Sequence, residues 1–347
     1  MDANVKNDEF AKLSLMDRVA YGLGDFAQNL VFGTVGGFLL FYLSTVNGIS
    51  AATGATIFLI VRLVNVVWDP WVGATVDRRD PKGGKYLPYI RNFGIPLVIL
   101  AAMLFLPFGQ WFPAIKLPFA FLSYLATAMI YSFVNIPYGA LNASLTRDNE
   151  EIAKLTTVRM TLANVANLMV YTLFPLFVQL ATSVGRESKD IGMFGIHLNL
   201  GNYASPQSAG AWFKVYAVYM VIGFIALMIT YSKTKERVLP EKNQEQVKYS
   251  DLFAEFKRNK PLQILGLFFK LGLALGGIIP GYINAATGFD GAKKVQSATA
   301  LMGVQWSMVW LPIIMAIVAG IIIAKYPLTD DKVAEMNHEI ENRRNNK

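Results

Sequence analysis

Apolar residues in this chain arrive in blocks of about 20, the length a helix needs to cross a bilayer. Short polar stretches separate the blocks, which predict spans at roughly 22–44, 54–76, 92–109, 118–144, 158–180, 212–232, 262–286 and 300–324. The fold class is therefore an all-α integral membrane bundle. Residues 1–232 form a six-helix unit, 233–260 a charge-rich central loop, 261–324 two further helices and 325–347 a charged tail. Within the loop, Tyr249, Leu252, Phe253 and Phe256 recur at helical spacing behind Ser250 and Asp251. That predicts a short helix lying either on the membrane surface or on the bundle.

Polar residues that break the apolar blocks carry the functional signal. Arg62, Asn65 and Asp69 interrupt the second span. At helical pitch their side chains fall within about 60° of one another, on one face. A charge at membrane depth costs several kcal/mol unless it is paired or faces water, so it marks a site. An Arg–Asp pair that only stiffens the bundle is the plainer alternative, but such pairs stabilise weakly. The first span carries Asp25, Gln28 and Asn29 on one face, followed by Gly33 and Gly37, a small-residue pair that admits a close neighbour. In the fourth span Ser132, Asn135, Tyr138 and Asn142 line up around Pro137, which frees a backbone carbonyl. Donors and acceptors together suit a hydroxyl-rich ligand. The fifth span adds Arg159, Asn164, Asn167 and Tyr171. Asp77, Arg78 and Arg79, then Lys82, Lys85 and Arg91, make a charged turn after the second span, which a plain solvated loop would explain.

Composition narrows the classes. Hydrophobic residues make up 54% and charged residues 16%, with mean hydropathy +0.37. There is no cysteine and there are two histidines, His197 and His338. Disulfides, thiol nucleophiles and Cys- or His-ligated metals are excluded or improbable, and no nucleophile–base pair suggests an enzyme. No catalytic residue, metal site or cofactor is expected. The net charge of +8 does not imply nucleic acid. Of 32 Lys and Arg, 24 fall in or beside one set of connecting segments (Arg159 among them, at the start of the fifth span) and six in or beside the other (Lys116, Arg186, Lys189, Lys214, Lys293, Lys294), with Arg62 and Lys270 deeper inside spans. This is the positive-inside bias, which puts both ends of the chain in the cytoplasm. Met1 to Ser14 shows no cleavable signal pattern, so the first span is expected to direct insertion.

Several motifs occur in order: Gly-Leu-Gly-Asp25 with Asn29; Arg62 with Asp69-Pro70; Asn135-Ile-Pro-Tyr-Gly with Asp148, Leu155 and Arg159; and Tyr326-Pro-Leu-Thr-Asp-Asp-Lys-Val. Together they resemble the glycoside-pentoside-hexuronide:cation symporter family. The charged turn at 77–79 resembles the loop motif of major facilitator transporters at large. The resemblance implies a major facilitator fold in the plasma membrane, carrying a sugar or glycoside with H⁺ or Na⁺ by alternating access.

By that resemblance Asp69 matches a cation-site carboxylate of the family's best-known permease, and Ser132 a hydroxyl beside it. Asn65 stands where that permease has a second aspartate. Hard cations prefer anionic oxygen, so the change favours a proton at Asp69 over sodium. Asn29 and Asn135 stand where aspartates bind sugar hydroxyls, and Arg159 matches the sugar-site arginine. Asp25 and Tyr138 belong to the same motifs. Arg62, Asp77, Arg78 and Arg79 are read as gate or latch charges.

Family members have twelve spans. Residues 261–268 resemble the start of the seventh, whereas the run from Lys270 resembles the eleventh, with the join near Phe269. Lys270 then matches the family's intramembrane lysine. The expectation is a complete first half and a second half cut to about two helices. Alternating access needs two similar bundles about a midplane site. The chain alone is therefore expected to transport poorly unless a second copy or a partner subunit completes it. The alternative is a non-transporting remnant, or a binding or regulatory membrane protein.

Overall fold

The computed structural model describes residues 10–79, 81, 84–191, 196–238, 279–290 and 295–324. Helix α1 (Leu15–Thr34) runs on through two π-helical stretches, Val35–Leu39 and Tyr42–Val46. It starts earlier than the apolar block because Ser14 and Asp17 close a capping box. The Asp17 amide donates to the Ser14 hydroxyl at 3.1 Å, and the Ser14 amide donates to the Asp17 carboxylate at 3.0 Å. Helix α2 (Ala51–Arg78) opens on Ser50, whose hydroxyl accepts from the Thr53 amide. Helix α3 (Leu87–Met103) also lies ahead of its predicted span of 92–109. Pro88 falls in its first turn, where a missing N–H is harmless. Helices α4 (Lys116–Leu145), α5 (Asn149–Leu168, continued by Met169–Leu173 and Phe174–Ala181) and α6 (Ala209–Lys233) complete the main bundle. An antiparallel hairpin of β1 (Glu187–Ile191) and β2 (Ile196–Leu200) lies between α5 and α6. Residues 279–286 are helical, and α7 (Ala298–Gln305) continues through Trp306–Trp310 and Leu311–Ala324. Among the described residues five helical stretches are long and apolar enough to cross a membrane: Ala51–Arg78, Pro113–Leu145, Glu150–Ala181, Pro206–Lys233 and Ala298–Ile321. Lys82, the helix expected behind Ser250 and Asp251, the join near Phe269, Lys270 and the tail lie outside the described residues.

Helix α1 packs against α5 and α6, α3 against α4 and α6, and α2 against α4. The core is aromatic. Trp212 is fully buried among Phe38, Phe41, Tyr42, Phe105 and Phe174, with ring centroids 5.6–6.2 Å away. The buried Tyr42 hydroxyl donates to the Phe105 and Leu106 carbonyls, so its desolvation is offset.

The end of the bundle that holds the basic connecting segments is tied by the segment leaving α6. The Glu236 carboxylate accepts the amides of Lys85, Tyr86 and Leu87 at 2.7, 2.8 and 2.9 Å, an anion seated on the N-terminus of α3. Gly84, at φ +119°, leaves room for it, since a Cβ there would meet that carboxylate. Arg237 pairs with Asp17 at 3.3 Å, and the Arg237 and Val238 amides donate to the Ser144 carbonyl. Three successive residues thus fasten α1, α3 and α4 together. Arg18 and Glu151, 2.6 Å apart, join α1 to α5. Burial works to raise the Asp17 carboxyl, but its bonds to Ser14 and the Arg237 charge prevail and hold it below the ordinary range.

The two sides of the bundle differ. On α3 and α6 the exposed residues include Ile95, Ile99, Val218, Val221 and Ile225, all apolar. The side built from α2, α4 and α5 exposes Asn135, Thr161, Asn164 and Tyr171 among apolar neighbours. Residues 279–286 lean on the far ends of α1 and α2, where Gly281 packs on Ala55 and Leu40 and the Thr56 and Tyr282 hydroxyls meet at 3.1 Å. Helix α7 covers only a small-residue stripe, Ala300, Gly303 and Ser307, with Gly303 against Thr287. Beyond it almost every side chain is exposed.

Candidate functional site

A cavity of about 340 Å³ lies between α1, α2 and α4. One turn-by-turn face of α2 supplies Arg62, Asn65 and Asp69, as helical pitch requires. The matching face of α4 supplies Tyr124, Thr127, Tyr131, Ser132 and Asn135, while Phe32 and Val35 close it from α1. The Ser132 hydroxyl donates to Asp69 Oδ1 at 2.5 Å, a short bond of the kind a charged acceptor makes. Asn65 Oδ1 is buried without a hydrogen-bond partner among the described residues. The Arg62 guanidinium lies over the Phe32 ring, 5.0 Å from its centroid. A carboxylate, a hydroxyl and a spare amide oxygen therefore border one small cavity. Such a donor set can hold a proton or a small cation, with a single formal negative charge.

A second polar cluster joins α1, α4 and α5. Arg159 Nε lies 2.9 Å from Asp25 Oδ2, their side chains 28% and 21% exposed. Both are open enough to meet a ligand yet too enclosed to lack a partner. Asn29 donates to the Asp25 backbone carbonyl at 2.8 Å. Tyr21 and Tyr138 stack with centroids 4.7 Å apart and exchange bonds, each hydroxyl donating to the other's backbone carbonyl. Gly24 permits that stack, because a Cβ at this position would overlap the Tyr138 ring. Tyr138 is 2% exposed and its hydroxyl is engaged, so it braces the cluster instead of offering a free donor. Between the clusters stands Tyr131, whose hydroxyl lies within electrostatic reach of both Asp25 and Arg62.

The residues singled out from sequence thus fall into two groups. Asp25, Asn29, Tyr138 and Arg159 gather in the second cluster, while Asn135 lines the cavity with Asp69, Asn65, Ser132 and Arg62. Asn29 and Arg159 do not line that cavity. Asp77 lies 3.8 Å from Lys85 and is largely exposed, with Arg78 and Arg79 at the end of α2. The described residues hold no group of three or more His, Asp or Glu fit for a metal ion. Sequence reasoning passed over Tyr124, Thr127 and Tyr131, although they keep helical register with Ser132 and Asn135. It also passed over Glu236, whose only signal was a carboxylate soon after an apolar block. Gln28, noted on the Asp25 face, is 2% exposed, and neither of its polar atoms has a partner among the described residues.

The family model described as MFS/sugar transport protein matches residues 20–269 and 264–330. The chain is 35% identical over 264 residues to the symporter YnaJ of Bacillus subtilis, covering 76% of this chain and 52% of that one. It is 30% identical over 250 residues to an isoprimeverose transporter of Lactiplantibacillus pentosus, covering 72% and 48%. Against a glucuronide carrier protein homolog of Escherichia coli it is 29% identical over 255 residues, covering 73% and 50%. The chain spans about half the length of the curated relatives it matches. With its apolar helices, its polar membrane-depth clusters and these matches, the chain is a multi-pass membrane protein, not an enzyme, and it belongs to the glycoside-pentoside-hexuronide type of the major facilitator sugar transporters.

Proposed function

We propose that the chain binds a sugar or glycoside together with a proton, as the cation-coupled half of a symporter in the plasma membrane, with its basic end in the cytoplasm. The observation that carries this reading is the pairing of two polar clusters at membrane depth, one built around Asp69 and the other around Asp25–Arg159. The fork of Arg159 can donate to ring hydroxyls while Asp25 accepts from them, a combination suited to vicinal hydroxyls. Relatives named for isoprimeverose and glucuronide transport favour a glycoside or a sugar acid as the ligand. Asn65 in place of a second carboxylate leaves Asp69 as the one carboxylate among the described residues that line the cavity, which favours a proton over sodium.

The test measures ligand-induced thermal stabilisation of the purified chain with a panel of glycosides, pentosides and glucuronides. Titrations run across pH, with and without Na⁺. Stabilisation by one class, dependent on pH and removed by Asp69→Asn, supports the reading. No stabilisation by any sugar sinks it. A second reading, binding without carriage, draws on the bare surface of α7. Sugar counterflow in vesicles separates the two.

A further inference from the structure

We infer that the groove between α3 and α6 at the basic end of the bundle binds an anionic phospholipid, with Arg91 and Tyr231 as donors to its phosphate. Arg91 stands one turn into α3 and is exposed. Its guanidinium is fixed without the help of an acid. Nη1 donates to the Tyr231 hydroxyl at 3.2 Å, Nε donates to Asn92 Oδ1 at 3.1 Å, and the charge lies 5.5 Å from the centroid of the Tyr231 ring. Among the described residues no carboxylate comes within ion-pair distance of Arg91. Nη2 and the Tyr231 hydroxyl hydrogen have no partner there either. Two donors and a positive charge therefore converge at an exposed point, and the planar fork of arginine matches a phosphodiester.

What lies beneath that charge says which phosphate. Arg91, Ile95 and Ile99 follow one another at i, i+4 and i+8, a single stripe of α3. Ile95 and Ile99 are exposed, as are Val218, Val221 and Ile225 on α6. Gly94 lets the two helices close up, since a Cβ there would sit 3.4 Å from Met228 Cε. From the basic end inward the groove thus presents a fixed cation and then about 12 Å of apolar wall. A phospholipid has its groups in the same order, headgroup and then acyl chain. The charge balance selects an anionic one. Lys233 and Lys235, both exposed, follow Tyr231 and add to the positive field. The acids fixed at this end have partners of their own: Asp17 has Arg237, Asp77 has Lys85 and Glu236 has three α3 amides. The ammonium of a zwitterionic headgroup would find no free carboxylate beside Arg91 among the described residues. An arginine that only marked orientation would be left to water, whereas this one is held by a ring, a hydroxyl and an amide. The site lies apart from both polar clusters and does not depend on the sugar reading.

Because the chain has no cysteine, Ile99→Cys carries a single fluorophore about two turns inward of Arg91. The full chain is reconstituted in phosphatidylcholine bilayers, and brominated-chain phosphatidylglycerol is titrated in to quench that label. The expected result is phosphatidylglycerol binding at least about fivefold tighter than brominated-chain phosphatidylcholine. Arg91→Ala should abolish the preference, and Tyr231→Phe, which keeps the ring, should reduce it about twofold. Lys214→Ala, which removes an exposed charge from the opposite end of α6, should leave it unchanged. Equal quenching by the two lipids overturns the inference, as does a preference that survives Arg91→Ala or falls as far with Lys214→Ala. Full competition by glycerol phosphate, which has no acyl chain, also overturns it by marking a site for any phosphate anion. Should Arg91→Ala fail to fold, as its thermal melt will tell, Tyr231→Phe decides: a reduced preference supports the site and an unchanged one overturns it.

Discussion

Two aspartates at membrane depth, Asp25 and Asp69, have been given opposite surroundings. Asp25 lies 2.9 Å from a guanidinium, and the pair is close to neutral. Among the described residues Asp69 accepts from the Ser132 hydroxyl at 2.5 Å, beside the Asn65 amide oxygen, which has no hydrogen-bond partner there. A hydroxyl donor stabilises a carboxylate without cancelling its charge, whereas a guanidinium cancels it. On the proposed reading the same side chain is a ligand hook in one cluster and a charge-binding group in the other. The sequence alone presents both as acids in apolar spans, and only the partner tells them apart.

The largest way to break this contrast is Arg159→Ala. It leaves Asp25 enclosed without its counter-charge and is expected to destabilise the fold by about 3 kcal/mol, at the low end for an enclosed pair because both groups are partly exposed. Arg159→Lys should recover most of that stability but not sugar-induced stabilisation, since lysine lacks the planar fork. Thermal melts with and without sugar check both. Gly24→Ala comes next: its methyl would displace the Tyr138 ring and cost about 2 kcal/mol by overpacking. It should weaken sugar binding while leaving the pH response of the Asp69 site intact. Asp69→Asn sharpens the comparison from the other side. Its cost in stability is about 1 kcal/mol, from one charge-assisted bond made neutral, yet the pH dependence of sugar binding should vanish.

Outside both clusters, Glu236→Ala removes the acceptor for three α3 amides and should cost about 1 kcal/mol, as loss of a helix N-cap does. Hydrogen exchange at Lys85, Tyr86 and Leu87 should rise, with neither cluster's ligand response altered. The smallest effect is at Asp17. Its folded pKa is depressed, so its contribution is present above the ordinary carboxylate range, near 3.9, and is lost as pH falls through the lower folded value. Asp17→Asn should therefore melt lower than the parent at neutral pH, and the gap should close as pH falls below the ordinary carboxylate range.

Much of this was legible from residue spacing. Arg62, Asn65 and Asp69 had to share a face once α2 was a helix, and Ser132 and Asn135 followed on α4 by the same pitch. Local capping chemistry, not hydropathy, set the start of α1, and an apolar window could not register the box between Ser14 and Asp17. The grouping of site residues was the other gap. Asn135 and Arg159 both read as sugar ligands, but which helices touch decides that one lines the Asp69 cavity while the other pairs with Asp25. Glu236 was illegible for a plainer reason. Its partners are backbone amides about 150 positions away, and a bare amide leaves no trace in residue identity.

The ties made by Glu236, Arg237 and Val238 also mark a natural place to cut the molecule. A polypeptide stopped just after Val238 keeps every one of these fastenings, whereas one stopped at Lys235 leaves the α3 amides bare and Asp17 without its arginine. The boundary of a separable six-helix module is therefore written in three residues past its last span, about a turn beyond where the hydrophobic block ends.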